Sequence, residues 1–130
     1  MDIAHRQTLL ETFTEAWDAK DVDALMELMA QKCEFRASVG PEPGASFVGR
    51  DQVRHGYGLF LGRRDGPVTD TNVATPLISE DFAVTRWTSR WSTPDGASVV
   101  VHACDVFEFE GDRIKSKDTY RKVCGELPTG

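Results

Sequence analysis

The sequence lacks paired cysteines and clustered metal ligands. Its three cysteines, Cys33, Cys104 and Cys124, include no C-x-x-C pair. An odd number without such spacing is neither a disulfide framework nor a zinc signature, so a reducing cytoplasm is the expected setting. No group of His and carboxylate residues has the spacing of metal ligands, so we predict no metal site.

Long apolar runs and excess positive charge are missing as well. No run approaches the roughly 20 residues that span a bilayer, and the acidic N-terminus is not typical of a signal peptide. The formal net charge of -6 disfavours nucleic acid and anionic membranes as partners, because both would repel the chain. The sequence has 130 residues, 40% of them hydrophobic and 28% charged, which is typical of a single globular domain over residues 1–130.

Hydrophobic spacing predicts helices first and strands after them. Apolar residues at helical spacing predict a helix over residues 3–19, a second helix that begins after Asp21 as its N-cap, and a third helix over residues 50–61. Alternation predicts strands over 33–39, 73–78 and 82–92, then a Pro94-Asp95-Gly96 hairpin turn. A long strand follows from Ser98 and returns after a Glu-Gly-Asp turn at 110–112. The proline- and glycine-rich segment 40–44 is predicted to be a loop, and the whole order indicates an α+β domain.

The long strand carries one histidine in the middle of an apolar run. The imidazole of His102 must either be hydrogen-bonded within a core or face a cavity, since an unpaired polar group is costly to bury. An imidazole in a cavity can act as acid or base near neutral pH. The orientation of this strand therefore largely decides the function.

Two motifs and the order of the elements carry a resemblance to a known family. Gly49-Arg50-Asp51-x-Val53 precedes a meander that ends in Asp105-Val106-Phe107-x-Phe109-x-Gly111-x-Arg113-Ile114. Together they resemble the NTF2-like superfamily, especially its SnoaL-like branch, over about the whole chain. The resemblance implies a cone-shaped, curved, antiparallel sheet with a mixed edge, wrapped around three N-terminal helices and one deep pocket. It also implies a homodimer that packs through the outer sheet face.

Members of this superfamily include isomerases, dehydratases, epoxide hydrolases, cyclases and non-catalytic modules, so the fold alone does not decide the function. The resemblance matches the general base of ketosteroid isomerases to Ala37 and their protonated aspartate to His102. It matches the arginine of limonene epoxide hydrolases to Arg86, and their two aspartates to Thr88 and Thr119. Because these acids are missing, the reactions of those enzymes are not supported, and His102 is the titratable group that remains.

We therefore predict a pocket for a small, partly apolar molecule, with His102 as acid or base and no cofactor. If Thr88 faces the pocket, strand alternation turns Arg86 and Arg90 the same way. An arginine fork suits a carboxylate, so the ligand would then be an anion. The predicted substrate-binding residues are Phe35, Arg86, Thr88, Arg90, Cys104 and Thr119.

Three questions stay open. With the opposite strand parity, Trp87 and Trp91 line the pocket and the arginines lie outside. The burial of the two rings favours this arrangement, unless a dimer covers the outer face and buries them there. Lys117 and Arg121 are either an exposed face of the last strand or, by family position, turned inward with Thr119. The function is either a cofactor-independent isomerase, dehydratase or cyclase that uses His102, or a non-catalytic ligand-binding or dimerisation module.

Overall fold

The structure, a computed structural model, describes residues 2–62 and 68–129. This part of the chain forms three helices and seven strands. In chain order they are α1 (Ile3–Asp18), α2 (Val22–Leu28), β1 (Met29–Arg36), β2 (Ser46–Val48), α3 (Arg50–Leu61), β3 (Val68–Val73), β4 (Leu77–Ile78), β5 (Phe82–Ser92), β6 (Ser98–Glu110) and β7 (Arg113–Arg121).

The first two helices begin at aspartate caps. The Asp2 carboxylate accepts a hydrogen bond from the backbone N–H of His5 at 2.8 Å, and Asp21 accepts one from Ala24 at 3.0 Å. Such caps satisfy N–H groups that the first helical turn leaves unpaired. The predicted helices over 3–19 and 50–61 and the Asp21 cap are confirmed.

The strands form one sheet in the order β2-β1-β7-β6-β5-β3, with β4 paired to β5. All neighbours are antiparallel except β1 and β7, which are parallel. The pairing shifts register within β1 between Met29 and Glu34, and within β6 between Glu108 and Phe109. Such irregularities bend strands. The predicted cone, in which a curved and mixed sheet wraps around the helices, is confirmed.

Three details of the strand prediction are wrong. The first strand begins at Met29 rather than Cys33, because Met29 pairs with β7 and is buried there instead of ending the α2 stripe. The strand predicted over 73–78 is two strands, because Pro76 lies between them and has no N–H to donate to a ladder. The three-residue β2 has no signal of its own and is not predicted.

The core lies between the helices and the inner face of the sheet. Aromatic rings make up much of it: the centroids of Phe35 and Tyr57 are 4.9 Å apart, and those of Phe13 and Phe107 are 5.3 Å apart. Phe13, Phe35 and Phe107 also form part of the wall of a cavity on the same side of the sheet.

Candidate functional site

A cavity of about 320 Å³ lies between α1, α3 and the inner face of the sheet. All three tryptophans of the chain, Trp17, Trp87 and Trp91, line it. Further aromatic walls come from Phe13, Phe35, Phe60 and Phe107. A largely apolar cavity of this size with a few polar groups is typical of a site for a small molecule.

Strand alternation decides which side chains reach this cavity. On β5, Thr85, Trp87, Ser89 and Trp91 line the cavity, so the residues between them face the other way. Thr85 pairs directly with Asp105 of β6, which in turn pairs with Thr119 of β7. These pairs place polar side chains next to one another on the inner face.

The Asp105 carboxylate is the centre of a buried polar cluster. Its Oδ1 accepts a hydrogen bond from the Thr119 hydroxyl at 2.6 Å and lies 3.3 Å from Lys117 Nζ. Its Oδ2 accepts a hydrogen bond from the Trp87 indole Nε1 at 3.0 Å. Asp105 is only 7% exposed. Two hydrogen bonds and one ion pair hold this buried carboxylate in one orientation.

Lys117 supplies the positive charge that pairs with this carboxylate. The residue is 4% exposed, and its Nζ also donates a hydrogen bond to Thr119 Oγ1 at 2.9 Å. The same nitrogen lies 4.5 Å from the ring centroid of Trp17 and 4.8 Å from that of Phe35. Both distances are within the range of a cation–π contact, so two aromatic rings replace water around the ammonium group.

Tyr57 is the other buried ionisable group close to the cluster. Burial raises the pKa of its phenol well above the ordinary value, and the nearby Cys33 and Asp105 add to the shift. Its hydroxyl contacts Met29 Sδ at 3.5 Å. The phenol therefore stays neutral near neutral pH and serves as part of the aromatic packing.

The structure places two of the predicted site residues in the cavity and the rest outside it. Phe35 and Thr119 line the cavity, and Lys117 and Arg121 face it too, as the family resemblance implies. The predicted inward orientation of the remaining residues is wrong. Arg86, Thr88, Arg90, His102 and Cys104 belong to the opposite face of β5 and β6, and all of them but Arg90 line a separate groove there.

The physical reason for this orientation of β5 is the burial of its tryptophan rings. Trp87 and Arg86 are sequence neighbours, so one of them must face outward, and the indole ring has far more apolar area to bury than the arginine stem. His102 shares the outer face and hydrogen-bonds through Nδ1 to Thr88 Oγ1 at 3.0 Å. Cys104 is not activated either, because burial and the charges of Asp105 and Asp118 raise the pKa of its thiol.

The sequence analysis missed Asp105 and undervalued Lys117. Asp105 shares strand parity with Val101 and Phe107, and both of these apolar residues line the cavity. A carboxylate on the apolar face of a strand was the available signal. The family resemblance, by contrast, matches acids to positions 37, 88 and 119, where this chain has none.

Two further features bear on the class of protein. Within the described ranges, no helix is long and apolar enough to cross a membrane. Among residues 2–62 and 68–129, no three His, Cys, Asp or Glu side chains are grouped so that they could hold a metal ion.

Comparison with known proteins identifies the family. The family model described as the SnoaL-like domain matches residues 10–117. The chain belongs to the SnoaL-like family. A comparison with curated protein sequences gives no match.

Solved structures share the fold of this SnoaL-like chain. An NTF2-like protein of unknown function from Mesorhizobium loti is 24% identical, with a TM-score of 0.72 over 95% of this chain and 97% of the other. SalBIII, an epoxide hydrolase/cyclase-like enzyme with a role in pyran ring formation in the polyether salinomycin, is 16% identical, with a TM-score of 0.74 over 93% of each chain. An NTF2-like protein from Anabaena variabilis is 15% identical, with a TM-score of 0.75 over 95% and 90%. At these identities the likeness establishes the fold alone.

Proposed function

We propose that this protein binds a small, uncharged and partly apolar organic molecule in the aromatic cavity and catalyses a cofactor-independent proton transfer on it. The reaction class is that of an isomerase, lyase or cyclase, and Asp105 rather than His102 is the acid or base. The observation that carries the proposal is a buried carboxylate, held by two hydrogen bonds and an ion pair, in the wall of a cavity rich in aromatic rings.

The carboxylate has the capacity for this role. Its two oxygens offer about four acceptor positions. The hydrogen bonds from Trp87 and Thr119 use two of them, and the Lys117 ammonium group lies beside a third. One position is left to take a proton from a substrate. A positioned general base of this kind contributes roughly 10²–10⁴-fold to a rate.

Lys117 complements the base. An ammonium group has three N–H donors, and its contacts with Thr119 and Asp105 use two of them. The third can stabilise negative charge that develops on a substrate oxygen when Asp105 removes a nearby proton. A weakly acidic C–H next to a carbonyl group is the chemistry that needs a base and such a donor side by side.

The charges of the cluster also limit the ligand. Asp105 and Lys117 neutralise each other, and the other two charged residues of the described lining, Asp18 and Arg121, are also of opposite sign. Arg86 and Arg90 are not part of the lining, so the described cavity walls carry no net charge. A neutral ketone or enone with an apolar ring matches the walls better than a carboxylate. SalBIII, which shares the fold, has a role in ring formation, a reaction that also moves protons.

Deuterium exchange tests the proposal without knowledge of the natural substrate. Cyclohexanone and 2-cyclohexenone are incubated with the protein in D₂O, and NMR follows the loss of the protons next to the carbonyl. We expect Asp105→Asn to lower the protein-catalysed rate by roughly 10²–10⁴-fold, the contribution of a general base. The matched control, His102→Gln on the outer face, should exchange like the wild type.

Three results would count against the proposal. Full activity in Asp105→Asn would remove the carboxylate from the mechanism, and loss of activity in His102→Gln would return the outer histidine to it. Saturable binding of both ketones with no exchange by the wild type would favour a non-catalytic binding module instead.

A homodimer through the outer sheet face remains part of the proposal. Val100 and Tyr120 are 37% and 56% exposed there. Contact between two copies would remove this apolar area from water. Sedimentation velocity at micromolar concentration tests the point, and a monomer would contradict it.

A further inference from the structure

We infer that Lys117 forms a covalent imine with an aldehyde that enters the cavity. The inference rests on the proposed function, because it uses the same cavity and the same carboxylate. It extends that function by naming a reactive carbonyl group as the feature that the site captures.

The surroundings of Lys117 differ from those of every other lysine in the chain. The chain has five lysines, and Lys20, Lys32, Lys115 and Lys122 are all exposed. Lys117 is 4% exposed and lines the cavity, with aromatic ring centroids 4.5 and 4.8 Å from its Nζ. A lysine placed in an apolar pocket is the usual setting for Schiff-base chemistry, since desolvation makes the neutral amine easier to reach.

Asp105 and Thr119 provide the path for the proton that must leave the amine. Lys117 Nζ donates to Thr119 Oγ1 at 2.9 Å, and the Thr119 hydroxyl donates to Asp105 Oδ1 at 2.6 Å. Nζ and Oδ1 are also 3.3 Å apart. When a ligand displaces water from the cavity, transfer of one proton from nitrogen to carboxylate removes two opposite charges from a low-dielectric site, where both are costly.

The step balances without any oxidant, reductant or co-reactant. The neutral amine of Lys117 attacks the aldehyde carbon, and a proton moves from nitrogen to the carbonyl oxygen to give a carbinolamine. Asp105 then returns its proton to the carbinolamine hydroxyl, which leaves as water while the nitrogen lone pair forms the C=N bond. The products are a protonated imine on Lys117, an ionised Asp105 and one water molecule. The positive charge opposite Asp105 is therefore the same before and after the reaction.

Reductive trapping on the wild-type protein tests the inference. Benzaldehyde is added with cyanoborohydride, which converts an imine to a stable secondary amine, and peptide mass spectrometry measures the rate at each lysine. We expect Lys117 to be labelled about tenfold faster or more than each exposed lysine, because the cavity holds the aldehyde beside the amine. Its labelling should saturate with benzaldehyde and be suppressed by benzyl alcohol, whereas labelling of the other four should do neither.

The four exposed lysines serve as controls within the same molecule, so no variant has to fold for the main result. Labelling of Lys117 at or below the rate of the exposed lysines would overturn the inference, as would labelling that benzyl alcohol leaves unchanged. Thr119→Val should slow the labelling of Lys117 alone, and Lys117→Arg should abolish this adduct without altering the others.

The exchange and trapping experiments together distinguish a failure of this inference from a failure of the proposed function. Exchange of cyclohexanone protons that depends on Asp105, with no preferential adduct at Lys117, would defeat the imine and leave the general base standing. A rapid adduct at Lys117, with no exchange in any ketone, would support the imine and defeat the general base.

Discussion

The buried pair of Asp105 and Lys117 makes a quantitative prediction about stability. Lys117→Met removes the ammonium group and leaves the carboxylate without a counter-charge among aromatic rings. Breaking a buried ion pair in this way costs about 3–5 kcal/mol. For a domain of 130 residues the midpoint of thermal unfolding falls by about 4 °C per kcal/mol. The variant should therefore melt at least about 12 °C below the wild type.

The double variant Lys117→Met/Asp105→Asn should recover most of this loss. The Asn side chain can still accept from Trp87 Nε1 and can donate to Thr119 Oγ1, so no polar atom of the cluster is orphaned. Replacing both members of a buried pair is often neutral, and we expect the double variant to lie within about 1 kcal/mol of the wild type. The coupling energy from the cycle would then be about 3 kcal/mol or more.

Urea denaturation of the four proteins measures the coupling, and the exposed pair of Arg54 and Asp23 provides the control. Arg54→Met and Asp23→Asn should couple by less than about 1 kcal/mol, because water screens the pair. The reasoning would be refuted if the double variant at positions 105 and 117 lost the sum of the two single losses. A recovered fold without exchange activity would indicate that the charges are kept for function rather than for stability.

Two further predictions concern the helix that closes the cavity. In α3, Gly56→Ala should lower the free energy of unfolding by about 1–3 kcal/mol, because the new Cβ would lie 2.7 Å from Cγ of Phe47. Gly58→Ala is the matched control, since a Cβ there meets nothing within 4 Å, and it should stabilise by up to about 1 kcal/mol; equal effects in urea denaturation would contradict the packing at Gly56. Tyr57 should make the protein sensitive to alkali, because burial in the folded protein raises the pKa of its phenol well above the unfolded value of about 10. Its contribution is complete below that unfolded pKa and is lost as the pH rises above it, so Tyr57→Phe should flatten the decline of stability in alkali. A spectrophotometric titration checks this, and reversible ionisation of both Tyr57 and Tyr120 in the folded protein would refute it.

The fold could be predicted from the sequence because its signals are local. Leu9, Leu10 and Phe13 recur at helical spacing, Asp21 is a capping residue directly before a second apolar segment, and Pro94-Asp95-Gly96 interrupts two alternating runs. Each signal is read within a few residues of chain. The predicted start of β1 is wrong because its signal is not local. Met29 belongs to the strand because it pairs with Ile114, which lies far along the chain.

The candidate site depended on information that alternation alone does not contain. Alternation groups Arg86 with Thr88 and Trp87 with Trp91, but it does not say which group faces inward. The answer depends on the relative burial of indole and guanidinium groups. Lys117 shows the same limit, because a lysine on a strand is usually solvated. Its burial is explained by contacts with residues of other elements, the Asp105 carboxylate and the rings of Trp17 and Phe35.

The indole N–H signals of the three tryptophans offer the most direct test of the central claim, that the inner cavity rather than the outer groove with His102 is the functional site. Trp17, Trp87 and Trp91 all line the cavity, and Trp87 Nε1 donates to Asp105. In a ¹H–¹⁵N NMR titration with 2-cyclohexenone, we expect the Trp87 indole signal to shift saturably while the ring signals of His102 stay in place. A saturable shift of the His102 ring with unmoved indole signals would contradict the account.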